Sequence, residues 1–402
     1  MTAMGYPSQV ARFAGRINDV DGHEWLPWNL WTEEFGEIAR PMAETEKVIV
    51  DSMKDSKQGY LRNSLTDTPS ELTPLAVWKT KGPNAIGAWD MRERLRVMDY
   101  TGVHRQLIFP GSMAIAACRL FAFAEDMSFY GSITGDRREY ALKLLKAYNN
   151  WAVRNVNISD RLRIVATLVA PSPDELVAEA KQLIKAGVRA FWLPSAMPPG
   201  GKSPAHNDLD SFWSLLEDSD SVATLHLGDE SAFLRTLEWR KAKAFEGWKV
   251  ATEISADPWG MSTKSFATQN FLITMIGGAV FHRHPRLRVG AIELGAHWVG
   301  PLGHQMDMWA DNTLSKRWST EIPLKPSEYI RRHVRVSGFP FEEIDTYIRR
   351  FGLEEVYCYA GDYPHVEGGF DPMAFWADRL AGSGEAVAEK FFVTNGEFLL
   401  PN

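Results

Sequence analysis

The chain is 402 residues long, with 44 Lys and Arg against 51 Asp and Glu, a net charge of −7, and 45% hydrophobic side chains. This composition excludes wholesale disorder and argues against nucleic-acid or anionic-membrane binding, both of which call for a basic stripe. Two cysteines, Cys118 and Cys358, exclude a disulfide scaffold and a cysteine-based zinc site.

The N-terminal stretch has no apolar core of the kind a signal peptide needs, so a soluble cytoplasmic protein is expected. The first predicted strand, Ile17–Asp21, runs into an acidic motif followed by Trp25, Trp28 and Trp31 at i, i+3 and i+6. The spacing suits either one face of a short helix packed on the body or an aromatic lid over an apolar substrate. Further strands are predicted at Val103–Phe109, Arg163–Val169, Val188–Leu193, Val222–His226, Arg288–Glu293, Val334–Ser337 and Val356–Ala360. Helical stretches alternate with them. Glu139–Asn157 places Leu142, Leu145, Tyr148 and Val153 on one side. Pro173–Ala186 starts after Ser172, a candidate N-cap, and stops at Gly187. Phe341–Phe351 also stops at a glycine, Gly352. The longest apolar run, FLITMIGGAVF at 271–281, is too short to span a bilayer.

Strands alternating with helices indicate parallel βαβ units, and eight of them close a (β/α)8 TIM barrel. One catalytic domain over 1–402 is expected, with long insertions after strands 1 and 5, at about 41–88 and 228–264. Both insertions leave from the C-terminal ends of strands, the face on which barrel enzymes keep their active sites.

Four strand ends carry the chemistry. Strand 1 ends in Asp19, Asp21, His23 and Glu24; strand 5 in His226; strand 6 in Glu293 with His297 beyond; strand 8 in Asp362 with His365 beyond. Residues i and i+2 of a strand point the same way, so Asp21 and His23 project together. Gathered at one mouth, these imidazoles and carboxylates are ligands for Zn, Mn or Fe, with no sulfur in the set. Taken singly, each has an ordinary explanation: His226 as a hydrogen-bonded core histidine, Asp362 as a turn cap, Glu293 as half of a salt bridge, Asp19 as an acceptor for backbone donors. Their joint occurrence at four strand ends is what points to a cation.

The motif DVDGHE, the stretch HPRLRVGAIELGAHW (284–298) and the motif GDYPHVEG (361–368) resemble the amidohydrolase superfamily. The similarity is to its amidohydrolase-related branch, which includes aminocarboxymuconate-semialdehyde decarboxylase and resorcylate-type decarboxylases. DMRERLRVMDYTGVHRQLIFPG (90–111) and YNNWAVRNVNISDRLRIVATL (148–168) fit the same branch. The resemblance implies Asp21 and His23 as the strand-1 metal pair, His226 as the strand-5 ligand, and Asp362 as a ligand that also relays a proton. Strand 6 departs from the decarboxylase pattern, carrying Glu293 with His297 four residues on. Strand 4 ends Phe191-Trp192-Leu193-Pro194, without the lysine that bridges two metals in the dinuclear hydrolases.

The expected function is therefore that of a metal-dependent hydrolase or non-oxidative decarboxylase acting on a carboxylated, largely apolar small molecule. Its cofactor would be one or two divalent transition-metal ions (Fe, Mn or Zn). The metal set is Asp21, His23, His226, Glu293 and Asp362, with Asp362, His297 and Glu293 as catalytic candidates. Glu24, His297 and His365 are candidates for a second metal or a supporting layer, and Trp25, Trp28 and Trp31 for substrate contact. An alternative is a non-haem mono- or diiron monooxygenase of the platensimycin type, acting on a bulky apolar acid or its thioester in secondary metabolism. A third reading is a non-enzymatic barrel. Symmetric dimerisation, the commonest oligomeric outcome, makes a homodimer the expected assembly.

Overall fold

The computed structural model describes residues 5–52, 68–228, 238–239, 242–245, 257–312 and 321–400. Eight parallel strands follow one another in sequence order: β1 Ile17–Asp19, β2 Val103–Ile108, β3 Leu162–Thr167, β4 Ala190–Trp192, β5 Val222–His226, β6 Arg288–Ile292, β7 Val334–Ser337 and β8 Tyr357–Cys358. Helices surround the sheet, which forms a nearly closed (β/α)8 barrel. Every residue of β3 and β5 is buried, because a barrel strand is covered by its neighbours' side chains within and by helices without.

The seam between the last strand and the first lies beyond the regular ladders. Val20 N–H donates to the Tyr359 carbonyl (3.1 Å), Asp362 N–H to that of Asp21 (2.7 Å), and His23 N–H to that of Tyr363 (2.8 Å). On the other side, Phe109 N–H donates to the Gly22 carbonyl (2.7 Å) and Glu24 N–H to that of Phe109 (3.1 Å). Asp21, His23 and Asp362 thus sit on backbone stitched between β8 and β2, which explains why regular β1 ends at Asp19 rather than at Asp21.

Predicted helices are found with adjusted faces. Arg137–Val156 buries Leu144, Leu145, Tyr148 and Trp151, whereas Leu142 and Val153 are only partly covered. Pro173–Lys185 is capped by Ser172, whose hydroxyl accepts from Glu175 N–H (3.3 Å), and Gly187 follows at φ 103°. The last predicted helix begins later, at Ile344, and ends at Gly352 in the left-handed region. The run 271–281 is divided between helices Phe266–Gly277 and Val280–Arg283, with Ala279 at φ 58° between them. Among the described residues no helix is long and apolar enough to cross a membrane.

The first insertion contains helices Arg40–Ser52 and Pro74–Lys79. Its later part packs Trp78, Ala85 and Ile86 against Trp25 and Tyr363 in a small apolar cluster beside the mouth. Most of the second insertion, 228–264, lies outside the described residues.

Candidate metal centre

At the C-terminal mouth, His23 Nε2 is surrounded by three carboxylate oxygens: Asp21 Oδ1 at 3.3 Å, Asp362 Oδ1 at 3.5 Å and Glu293 Oε2 at 3.6 Å. His226 Nε2 lies 3.3 Å from Glu293 Oε2 and 3.6 Å from Asp21 Oδ1. These separations exceed ordinary hydrogen-bond lengths and match the spacing of ligands around a shared cation. Two overlapping groups have ligand atoms all within 4.8 Å of one another: Asp21, His23, His226 and Glu293, and His23, Glu293, Asp362 and His365. His23 and Glu293 belong to both groups, so Asp21 and His226 on one side and Asp362 on the other are linked through them.

Burial sharpens the point. Asp21 Oδ1, both ring nitrogens of His23 and both carboxylate oxygens of Asp362 are buried with no hydrogen-bonding partner among the described residues. Leaving such groups unsatisfied in a dry interior is costly. A divalent cation among them removes that cost, and the imidazole–carboxylate donor set suits Mn, Fe or Zn. The histidine geometry agrees. His226 Nδ1–H donates to the Leu227 carbonyl (2.9 Å), which leaves Nε2 as the lone-pair nitrogen facing the centre.

Aromatic rings wall the site. Phe109 lies 4.2 Å from the His226 ring, His365 stacks on His23 at 3.8 Å, and Trp25 meets His365 edge-on at 4.8 Å. In this apolar surrounding burial pushes the Asp362 carboxyl up to about 7. Burial would raise Asp21 too, but its contacts with His226 and His23 outweigh that and bring it down to about 2. Burial, helped by His365, holds His23 down at about 4, which keeps its imidazole neutral as a ligand must be.

Other predicted residues fall elsewhere. Glu24 is buried with Oε1 accepting from Gly111 N–H and Oε2 from Leu26 N–H, both at 2.7 Å, so it braces the chain entering the mouth. His297 is not brought into the group. Its side chain is 58% exposed, and Nδ1 faces Glu342 Oε1 at 3.3 Å. The three tryptophans do not share a helix, because Pro27 keeps the chain extended before the short turn Trp28–Leu30 and the helix Trp31–Phe35. Trp25 alone touches a site histidine; Trp31 is buried in the main core with its indole N–H on the Leu26 carbonyl (2.8 Å), and Trp28 packs partly covered against that core.

Of the supporting residues, Asp19 was expected from sequence as an acceptor for backbone donors, whereas Arg94 and Glu342 carried no sequence signal. Asp19 Oδ1 accepts from Asp21 N–H (3.1 Å) and Gly361 N–H (2.9 Å), and Oδ2 accepts from Gln106 Nε2 (2.8 Å). One carboxylate thereby ties β1 to β8. Arg94, wholly buried, donates to the carbonyls of His23 (2.5 Å), Gly87 (2.7 Å) and Tyr363 (3.4 Å) and to Gln106 Oε1 (3.1 Å). Glu342 accepts from Ala296, His297 and Phe339 N–H groups and fixes the loop after Glu293. Their partners come from other strands, so periodicity within one segment cannot reveal them.

A barrel whose mouth gathers three carboxylates and three imidazoles around buried, unsatisfied oxygens and nitrogens is a barrel with a candidate cation site. The chain belongs to the amidohydrolase family, whose model matches residues 19–401. Among curated proteins none matches it. It is similar in structure to an amidohydrolase from Mycobacterium avium subsp. paratuberculosis K-10, with TM-score 0.68, 18% identity, and 96% of this chain and 99% of that one covered. Another similar structure is 5-carboxyvanillate decarboxylase from Novosphingobium aromaticivorans, solved with manganese (TM-score 0.58, 15% identity, 96% and 97% covered). A third is a dihydroxybenzoic acid decarboxylase from Polaromonas sp. JS666, also with manganese (TM-score 0.55, 14% identity, 96% of each chain). The oxygenase reading draws no support from these relatives.

Proposed function

We propose that the protein is a metal-dependent, non-oxidative decarboxylase of a carboxylated, largely apolar small molecule, with an aromatic acid as the favoured class. The observation that carries this reading is the ring of Asp21, Asp362 and Glu293 oxygens around His23 Nε2. The decarboxylase structures share the fold and act on hydroxylated aromatic acids, which suggests the substrate class. Asp21, His23, His226, Glu293 and Asp362 would hold the ion, and Mn²⁺ suits a donor set this rich in carboxylate. An ion held there would supply Lewis-acid stabilisation of the negative charge that develops on the substrate as CO2 leaves.

The chain's own groups supply the rest. Asp362 Oδ1 faces His23, which leaves Oδ2 to hold a proton. Burial raises this carboxyl to about 7 in the metal-free chain, and its second oxygen would deliver the proton that replaces CO2 on the substrate carbon. Trp25, His365 and Phe109 exclude water from the reacting centre. Hydrolysis remains chemically open to the same residues, and a homodimer is proposed as the assembly.

The test is anaerobic incubation of the manganese-loaded protein with 2,6-dihydroxybenzoate, 5-carboxyvanillate and related hydroxylated aromatic acids, with release of CO2 measured. Release that requires the metal and not O2 supports the reading. Turnover only in the presence of O2, with iron bound, would replace it by oxygenation.

A further inference from the structure

Lys81 is only 7% exposed and precedes the turn Gly82–Asn84. That stretch is seated on the β8 turn: Gly82 N–H donates to the Pro364 carbonyl (3.0 Å), and the Tyr363 hydroxyl to the Ile86 carbonyl (2.7 Å). Asp362 and Glu367 both attract the Lys81 ammonium. Yet among the described residues it makes no direct ion pair and no hydrogen bond. A buried ammonium carries three donors and is almost always paired directly, so this arrangement calls for an explanation.

A second lysine behaves alike. Lys264, on the chain returning to the barrel after β5, holds its Nζ 4.6 Å from the Phe339 ring centroid. Glu293, Glu342 and Glu367 attract it, again without a direct ion pair among the described residues. Glu367 acts on both lysines, so the two ammonium groups lie at the same end of the barrel. A lysine meant only to neutralise a carboxylate would touch it. Without a direct partner among the described residues, the Lys81 ammonium keeps its N–H donors for an anion arriving beside the β8 turn.

We infer that Lys81, assisted by Lys264, is the receptor for the carboxylate group of the substrate. This rests on the reading of the site as one for an acid, and it adds the residues that recognise the charge. Charge-assisted N–H···O⁻ bonds in a water-poor mouth discriminate strongly between an acid and its uncharged analogue.

The test titrates the manganese-loaded protein with benzoate and with benzamide, which have the same shape and differ in charge, following tryptophan fluorescence or heat. Benzoate should bind about tenfold more tightly. Lys81→Met should bring the two within about twofold while manganese content and thermal midpoint stay as in the parent. Lys81→Arg should keep most of the preference, and Lys264→Met should weaken benzoate about threefold. Should Lys81→Met fail to fold, Lys81→Arg and Lys264→Met carry the test. An unchanged preference in every folded variant, or a parent protein that binds benzoate no better than benzamide or not at all, overturns the inference. The titration reads binding and not turnover. A protein that binds benzoate through Lys81 but releases no CO2 therefore refutes the reaction and keeps the receptor.

Discussion

Glu293 and Asp362, at the ends of β6 and β8, share a left-handed backbone, with φ 58° and 47°. For residues other than glycine this conformation costs roughly 1–2 kcal/mol each. Tertiary hydrogen bonds hold it in place: Glu293 N–H donates to Ser337 Oγ (2.9 Å) and Asp362 N–H to the Asp21 carbonyl (2.7 Å). Strain and buried charge at these two positions turn both carboxylates toward His23. Replacing Glu293 by Asn, which tolerates the left-handed region, removes a buried charge as well. Glu293→Asn should raise the stability of the metal-free protein by about 1–2 kcal/mol in urea and lower its metal content at least about tenfold. Unfolding curves and elemental analysis check the two halves separately.

Arg94 reaches four acceptors on four different segments, one of them the His23 carbonyl. Arg94→Met leaves these acceptors buried without a donor and should cost about 2–4 kcal/mol of stability. It should also weaken metal binding by about 10- to 100-fold through the displaced His23. Arg94→Lys restores a charge but not the planar fork, and should recover only part of either loss. Metal affinity as high as the parent's in the folded Met variant would remove Arg94 from the support of the centre.

Metal loading should oppose the pH dependence of the metal-free protein's stability. Burial pushes Asp19, Glu24 and Asp362 up to about 7 in the metal-free chain, far above their values of 3.8, 4.5 and 3.8 when unfolded. Between those limits the folded chain holds protons that the unfolded chain has lost, so these three groups withdraw stability as pH rises. His23, held down at about 4 by burial and His365, works the other way up to 6.5. Three carboxyls against one imidazole give a net loss of stability for the metal-free protein from about pH 5 to 7.5. Metal binding needs the carboxylates deprotonated, so the rise in Tm on adding Mn²⁺ should be larger at about pH 7.5 than at 5.5. Thermal melts at both pH values, with and without metal, decide it; an equal or larger rise at the lower pH contradicts the assignment.

Both thiols should be silent in the folded protein. Cys118 and Cys358 are both buried, and burial pushes the Cys358 thiol up to about 12. A thiolate-dependent reagent such as DTNB should label neither in the native state and both in urea. Rapid labelling of the native chain would show that the segments holding them open readily.

How much of this was legible in the sequence varies with the range of the interaction. Strand β5 was predicted with the bounds the structure shows, because four apolar or β-branched residues leading into His226 form a local pattern. Asp21, His23, His226, Glu293 and Asp362 were legible as strand-end residues of metal-binding type, since a barrel brings all its strand ends to one face. On Arg137–Val156 the expected face held at Leu145 and Tyr148 but not at Leu142 and Val153, because neighbouring helices and β3, not the helix's own periodicity, select the buried stripe. His297 carried the right chemistry in sequence, but Glu342, which follows β7, turns it to the outside of the group.

The sequence by itself determined the eight strands, the barrel that orders them, and which side chains are able to hold a cation, because strand and helix preferences are set by near neighbours and ligand chemistry by residue type. Only the tertiary structure decided that Glu293 joins His23 and His226 and that His365 stacks behind them. It alone showed that Glu24 and His297 turn away from the candidate centre, and that Asp19 and Arg94 lock β1 to β8. Those outcomes depend on hydrogen bonds and burial between segments hundreds of residues apart, which no local pattern encodes.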